Sequence, residues 1–183
     1  MKLPTKYIAI DIETTDADYR KGDIIQIGAV VVNEDLSIDI PNGTFNIYIA
    51  PTSDFRNPEA MAVNKISEET LSKALMCQGA LERFESWSQQ FSDRPLLAAW
   101  GTYFDVTFLR EYYRKIGRKY PFSYRCLDLK SIAIWEAAKR GQSAEGGVHT
   151  FLEMNGLTFE GNPHDGLDDI INTMRIIQAY VPA

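Results

Sequence analysis

Several residue types are scarce in this sequence, and each scarcity excludes a class of structure. There are only two cysteines and two histidines among 183 residues. Cys77 and Cys126 form no CxxC pair and are distant in sequence from both histidines, so neither a zinc site nor a disulfide framework is predicted. We expect two reduced thiols in a protein of the cytoplasm.

Long apolar runs and an excess of basic residues are also missing. No segment approaches the roughly 20 apolar residues of a membrane span, and the first residues lack the apolar stretch of a secretory signal. The net charge of −6 argues against a protein that coats nucleic acid by releasing counterions. It is compatible with an enzyme that admits one chain end into an acidic, metal-binding site.

The composition fits a single globular domain over residues 1–183. Apolar residues make up 45% of the chain and charged residues 24%, which is ordinary for a folded domain without a membrane span. This length is enough for one complete hydrophobic core and short for two.

The most informative stretch is KYIAIDIETT at residues 6–15, where two acids follow an apolar run. Its isoleucines and tyrosine predict a strand, and side chains on a strand alternate between its faces. Asp11 and Glu13 therefore share one face. Two neighbouring carboxylates at the end of a buried strand repel each other and lose hydration, and a divalent cation would offset that cost. The alternative is a solvated turn in which neither acid has a function.

The order of the other predicted elements indicates the fold class. Strands at 23–33 and 43–50 follow the first closely, with turns at Gly22 and at 41–43, which predicts an antiparallel meander. Helices are predicted at 58–64, 67–70, 79–91, 103–117, 130–140, 148–155 and 165–181, strands at 95–101 and 124–129, and a flexible loop at 141–147. We predict an α/β fold: a mixed five-stranded sheet, with two parallel strands beside the meander, flanked by helices.

Two later segments contribute further candidate acids. Asp105 lies just inside the helix that follows the strand at 95–101, where the carboxyl ends of neighbouring strands meet. Alternatively, it only interacts with the helix dipole. Asp169 lies one turn into the last helix, after Asp165 at the predicted N-cap, and His164 precedes both. A single loop histidine is otherwise most often solvated.

Three sequence blocks carry a resemblance to a known family. DIETT, WGTYFD with TFL, and PHDGLDD resemble, in the same order, the blocks of the DEDDh 3′–5′ exonucleases of the ribonuclease H-like superfamily. The resemblance implies the ribonuclease H-like fold. It also implies two divalent metal ions, Mg²⁺ or Mn²⁺, held by Asp11, Glu13, Asp105 and Asp169, with His164 as the general base. His149, the other histidine, is the competing candidate for that role.

The resemblance also implies substrate contacts. Ile12 and Thr14 would contact the terminal nucleotide, and Asn64 its sugar. Trp100 and Phe104 would stack on a base or fill the core. Six basic residues between Arg110 and Arg125 form either a phosphate track or a solvated helix face.

One departure and one similarity refine the family assignment. Gly101 stands where the second block commonly has asparagine, which leaves the metal acids intact and affects substrate positioning. The tryptophan and glycine of that block, and the PHDGLDD spelling, resemble the RNA-trimming branch typified by the histone-mRNA and small-RNA three-prime exonucleases.

We therefore expect a metal-dependent 3′–5′ exonuclease that releases nucleoside monophosphates from single-stranded RNA or DNA, with RNA slightly favoured, by a two-metal mechanism. The alternatives are a catalytically silent nucleic-acid-binding module on the same fold and a small-molecule phosphoesterase. No membrane association is expected, and no feature of the sequence indicates a protein partner or an oligomeric state.

Overall fold

The strands of the computed structural model form one mixed sheet. The structure describes residues 5–40, 42–143 and 145–181; position 41 of the predicted turn and position 144 of the predicted loop lie outside these ranges. The strands are β1 (Tyr7–Thr14), β2 (Ile24–Val32), β3 (Thr44–Ala50), β4 (Leu75–Met76), β5 (Leu97–Ala99) and β6 (Cys126–Asp128).

Seven helices surround the sheet among the described residues. They are α1 (Pro58–Asn64), α2 (Glu68–Lys73), α3 (Cys77–Ser88), α4 (Thr102–Lys115), α5 (Leu129–Lys139), α6 (Val148–Met154) and α7 (Gly166–Tyr180). The bounds of α1 match the prediction because its start is marked locally: Asn57 caps the helix by accepting a hydrogen bond from the backbone of Glu59, and proline occupies the first turn. No helix in the described ranges is both long enough and apolar enough to cross a membrane.

The sheet has the order β4-β3-β2-β1-β5-β6. Strands β1, β2 and β3 are antiparallel neighbours, and β5 and β6 continue the sheet in parallel with β1. The predicted mixed sheet is confirmed, but the predicted count of five strands was wrong. The additional strand, β4, has two residues and pairs in parallel with the end of β3, and so short a segment carries no sequence periodicity.

The alternation of β1 divides the core into two clusters, one on each face of the sheet. Ile8, Ile10 and Ile12 pack with α3 and α4, whereas Ala9 packs with α5 and α7. Asp11 lies on the same face as Ala9 by this alternation, and therefore on the α7 side of the sheet.

Helix α7 approaches the sheet unusually closely at Gly28 on β2. A Cβ atom on Gly28 would lie 2.1 Å from the carbonyl carbon of Gly166, and one on Gly166 would lie 3.0 Å from the carbonyl oxygen of Asp11. Gly28 therefore has no room for a side chain, and a side chain at Gly166 would require its backbone neighbours to move by a few tenths of an ångström. This close contact brings the first turn of α7 against the end of β1.

Candidate active site

The two acids of β1 stand at the middle and the end of the strand, partly buried on the α7 side. Asp11 is paired with Gly28 of β2, and Glu13 is paired with Gln26. The register between β1 and β2 shifts directly after Glu13. The regular ladder thus ends where the acids are presented.

Gln26 connects this part of the sheet to the start of α7. Its fully buried side chain donates a 2.9 Å hydrogen bond to Oδ2 of Asp165 and accepts a 3.3 Å bond from the backbone of Gly166. Oδ1 of Asp165 caps α7 by accepting from the backbone of Leu167. Helix α7 is therefore fixed to β2 by polar contacts as well as by the glycine packing.

Asp105 reaches the same region from α4. It is 3% exposed, and its Oδ1 accepts a 3.2 Å hydrogen bond from the backbone N–H of Ile12, between the two acids of β1. Asp128 fixes the start of α4 by accepting a 2.8 Å bond from the backbone of Thr102. Gly101, which replaces the asparagine common in the family block, precedes α4 with a φ of 98°. Glycine adopts this backbone conformation without strain because it has no Cβ atom.

Asp169 and His164 complete the cluster. Oδ2 of Asp169 accepts a 3.1 Å hydrogen bond from the backbone N–H of His164, which holds the loop before α7. His164 has a left-handed φ of 65°, which is uncommon for a residue with a side chain. One side-chain oxygen or nitrogen atom from each of Glu13, His164 and Asp169 lies within 4.8 Å of the others.

The electrostatics of the four acids show that they form one group. Burial, followed by repulsion from Asp105, Glu13 and Asp169, raises the pKa of Asp11 well above its ordinary value. Burial and the charges of Asp169 and Asp105 raise the pKa of Glu13 to about 8. Burial raises the pKa of Asp105 to about 7 and that of Asp169 to about 6.

Burial is the cause that all four raised pKa values share, and repulsion within the group adds to it at Asp11 and Glu13. In the part of the chain that the structure describes, none of the four acids forms a salt bridge. Hard divalent ions prefer carboxylate oxygen ligands. The donor set formed by Asp11, Glu13, Asp105 and Asp169 therefore fits Mg²⁺ or Mn²⁺.

His164 is exposed and lies beside positive charges as well as acids. Burial of part of the ring, then the charges of Lys65 and His149, lower the pKa of His164 below its ordinary value. Its imidazole is therefore predominantly neutral near pH 7 and able to accept a proton. The ring of His149 stacks on Phe159 at 4.8 Å between centroids, whereas His164 belongs to the group within 4.8 Å that includes Glu13 and Asp169.

Most of the predicted substrate residues line one cavity. Ile12, Thr14, Asn64 and Phe104 border it together with Glu13, and its volume is about 300 Å³. The side chain of Asn64 is itself engaged, donating to the carbonyl of Thr14 and accepting from the backbone of residue 66. It therefore shapes the cavity wall.

Trp100 is not among the residues that line this cavity. Its ring packs edge-on against Phe151, 5.2 Å between centroids, in the cluster on the α7 side of the sheet. Its stacking on a base stays a prediction.

The basic residues between 110 and 125 are mostly engaged within the protein. Arg118 forms salt bridges with Glu82 and Glu85, at 2.7 and 2.9 Å. Arg114 pairs with its helix neighbour Glu111. A continuous phosphate track along this stretch would require these pairs to break.

Sequence reasoning did not identify Gln26 and Asp128 as parts of the site. The signal for Gln26 was available, because it is the single polar side chain in the apolar strand IIQIGAVVV. The role of Asp128 depends on β6 lying beside β5, which only the folded sheet reveals.

Comparison with known proteins identifies a similarity to one family. The model of the exonuclease family RNase_T matches residues 8–177. No curated protein sequence matches the chain significantly.

Solved structures share the fold at low sequence identity. The cell-death related nuclease CRN-4 superposes with a TM-score of 0.82 at 19% identity; the match covers 95% of this chain and 62% of CRN-4. The nuclease domain of 3′hExo, a DEDDh family member bound to rAMP, gives 0.77 at 20% identity over 94% of this chain and 90% of that domain.

A zinc-bound complex of E. coli ExoI with single-stranded DNA gives a TM-score of 0.80 at 16% identity, over 96% of this chain and 40% of that enzyme. The chain therefore spans less than two thirds of CRN-4 and less than half of ExoI.

Proposed function

The chain belongs to the RNase_T exonuclease family, whose members hydrolyse phosphodiester bonds, and we propose that it removes nucleoside monophosphates from the 3′ end of single-stranded nucleic acid, with RNA slightly favoured over DNA. The observation that carries this proposal is the grouping of four mutually repelling carboxylates beside a histidine. Structures of the same fold contain rAMP and single-stranded DNA, which agrees with such a substrate.

Asp11, Glu13, Asp105 and Asp169 would hold two divalent ions, Mg²⁺ or Mn²⁺. When bound, such ions offset the charge of the phosphoryl oxygens and make water a better nucleophile. The protein contributes a fixed arrangement of ligands. Asp105 is oriented by the N–H of Ile12, and Asp169 by the N–H of His164.

His164 would act as the general base. Its neutral imidazole accepts the proton of the attacking water at a ring nitrogen. The left-handed backbone at His164 and the bond from its N–H to Asp169 fix the ring beside the acids. Partial burial of the ring, with the charge of Lys65, lowers the pKa of His164 and favours the neutral imidazole.

The cavity beside Glu13 would hold the terminal nucleoside. Phe104 and Ile12 supply apolar surface for the base, and the wall at Thr14 and Asn64 is polar enough for the sugar. Exonucleolytic cleavage agrees with the match to the exonuclease family.

Digestion of labelled substrates tests the proposal. Single-stranded RNA, single-stranded DNA and duplex, each labelled at the 5′ end, would be incubated side by side with Mg²⁺ or Mn²⁺. We expect products that shorten stepwise from the 3′ end of the single strands, and severe slowing when the 3′-hydroxyl carries a phosphate. Equal cleavage of a circular single strand would contradict the proposal and indicate an endonuclease.

The same experiment separates the alternative functions. A silent binding module would retain the labelled strand without cutting it. A small-molecule phosphoesterase would hydrolyse a nitrophenyl ester of a nucleotide and leave the strands intact. Either result would overturn the proposed function.

A further inference from the structure

The segment that carries His164 has little backbone hydrogen bonding of its own. Residues 158–164, which we call the histidine loop, lie between α6 and α7 and form neither helix nor strand. Within the described residues, one backbone–backbone hydrogen bond involves this loop, from the N–H of Asp165 to the carbonyl of Asn162. His164 itself is exposed. Contacts with other side chains must therefore determine where its ring lies.

The first half of the histidine loop is bound by a fully buried side chain of α7. Asn172 accepts a 3.1 Å hydrogen bond from the N–H of Glu160 and donates a 2.8 Å bond to the carbonyl of the same residue. Arg175, one turn further along α7, donates a 2.8 Å bond to the carbonyl of Thr158 and forms a 2.7 Å salt bridge with Glu160. Glu160 is therefore held through both its backbone and its side chain.

The second half of the loop is bound in the same way by two neighbouring acids. Oδ2 of Asp168 accepts a 2.8 Å hydrogen bond from the N–H of Asn162, and Oδ2 of Asp169 accepts the 3.1 Å bond from the N–H of His164. The bound loop residues alternate, at positions 158, 160, 162 and 164. Their partners, at positions 175, 172, 168 and 169, have the spacing of one helix face. The loop thus runs antiparallel along α7.

The contact made by Asp169 differs from the others because Asp169 is one of the four acids that would hold the metal ions. Its carboxylate would then serve both a cation and the N–H of His164. Asp168 is outside that group of acids, and Asn172 carries no charge. These two residues can therefore hold the loop in the same way with and without metal.

We propose that Asp168 and Asn172 are positioning residues, which hold the histidine loop on α7 and so keep the ring of His164 beside the acid cluster. Each acts through the backbone, two or four residues before the histidine. The inference rests on the proposed function, in which His164 accepts the proton of the attacking water. A displacement of about 1 Å can lower a rate by as much as about 100-fold.

The variants Asp168→Ala and Asp168→Asn separate the hydrogen bond from the charge. Alanine removes the acceptor for the N–H of Asn162, whereas Oδ1 of asparagine can still accept that bond. With single-stranded RNA and saturating Mg²⁺, we expect kcat of Asp168→Ala to fall by about tenfold and KM to stay within about twofold of the wild type. Asp168→Asn should recover most of the lost rate.

A double variant shows whether Asp168 acts through the histidine. In a His164→Ala background, Asp168→Ala should change kcat by less than about twofold, because the effects of residues that act as a unit are not additive. A further tenfold loss in that background would overturn the positioning role.

Amide exchange in metal-free protein provides a readout that does not require activity. Asn172→Ala leaves Asp169 in place as the acceptor for the N–H of His164. It should nevertheless speed the exchange of that N–H severalfold, because the loop would leave α7 as one unit. Asp168→Ala should have the same effect.

Gln178→Ala is the matched control. Gln178 lies near the end of α7 that is distant from the site, and its side chain donates a 2.8 Å hydrogen bond to the carbonyl of Leu36 after β2. This bond also joins α7 to a loop backbone. The variant should have the kcat of the wild type and the same exchange rate at His164.

The proposed function and the positioning role fail in different ways. Wild-type protein that does not hydrolyse RNA contradicts the function, and the exchange of the His164 N–H still decides whether these residues hold the loop. An active wild type, with kcat and exchange unchanged in Asp168→Ala and Asn172→Ala, overturns the positioning role alone. A loss of kcat in Asp168→Asn or Gln178→Ala as large as that in Asp168→Ala would also overturn it.

Discussion

Removing metal from the acid cluster should make the stability of the protein depend on pH in a defined direction. The carboxyl of Glu13 ionises at about 4.5 in an unfolded chain and at about 8 in the folded protein. Between these values the folded state binds more protons than the unfolded state. The contribution of Glu13 to the free energy of unfolding is therefore fully present below about pH 4.5 and is lost as the pH rises through about 8. The pKa values of Asp105 and Asp169 are raised in the same direction.

The size of this effect follows from the shift. Each pH unit between the two pKa values corresponds to about 1.4 kcal/mol, which gives about 5 kcal/mol for Glu13 if it were fully shielded from water. Because its side chain is partly exposed, we expect a loss on the order of 3 kcal/mol between about pH 5 and pH 8. For a chain of this length that lowers Tm by about 10 °C.

Thermal unfolding of the protein in chelator measures the effect. Glu13→Gln, which removes one of the charges, should flatten the pH dependence and raise Tm at about pH 8. Saturating Mg²⁺ or Mn²⁺ should raise the wild-type Tm there, since an ion at 100-fold its Kd adds about 2.7 kcal/mol. The exposed Glu34, in the turn after β2, provides the control, and Glu34→Gln should behave as the wild type.

The same Tm for the metal-free wild type at both pH values would refute the raised pKa of Glu13. The same pH dependence in Glu13→Gln and Glu34→Gln would refute it equally, because the charge of Glu13 would then contribute nothing to the repulsion in the cluster.

Three further substitutions test other parts of the account. His164→Ala should lower turnover by about 10²–10⁴-fold while calorimetry still detects metal binding, and the rise in rate with pH through the histidine pKa should disappear; full activity in this variant together with an inactive His149→Ala would reassign the base. His164→Gly should also be inactive yet more stable to urea than His164→Ala by about 1 kcal/mol, because glycine accepts the left-handed backbone; equal stability would remove the strain argument. Gly28→Ala should lower the unfolding free energy by about 3 kcal/mol and abolish activity, because its Cβ would overlap the backbone of α7; an unchanged urea midpoint would show that α7 is not held at this point.

Local patterns predicted much of the fold. The alternation of β1 correctly separated the isoleucines from the acids, because side-chain direction on a strand depends only on adjacent residues. The end of α3 was not predictable in this way. The helix ends at Ser88, although apolar residues continue at helical spacing to Phe91. Phe91 instead packs against Trp87 from a turn.

The site itself was predictable only in part. The four acids and His164 lie in sequence blocks that a family resemblance can identify. The contacts that hold these residues in place have no such sequence signal. The bond from Gln26 to Asp165 joins residues 139 positions apart, and it forms only when α7 packs on β2. The left-handed backbone of His164 likewise has no signature in the sequence, because residues other than glycine adopt it uncommonly.

The most direct test of the central claim is a time course of single-stranded RNA labelled at its 5′ end, with wild-type protein and Asp105→Asn, in Mg²⁺ and in chelator. The account predicts a ladder that shortens from the 3′ end only with wild-type protein and metal. Asp105→Asn should be slower by several orders of magnitude, because Asp105 is one of the four acids that would hold the metal ions. Release of the labelled 5′ nucleotide first, or equal rates for Asp105→Asn and wild type, would contradict it.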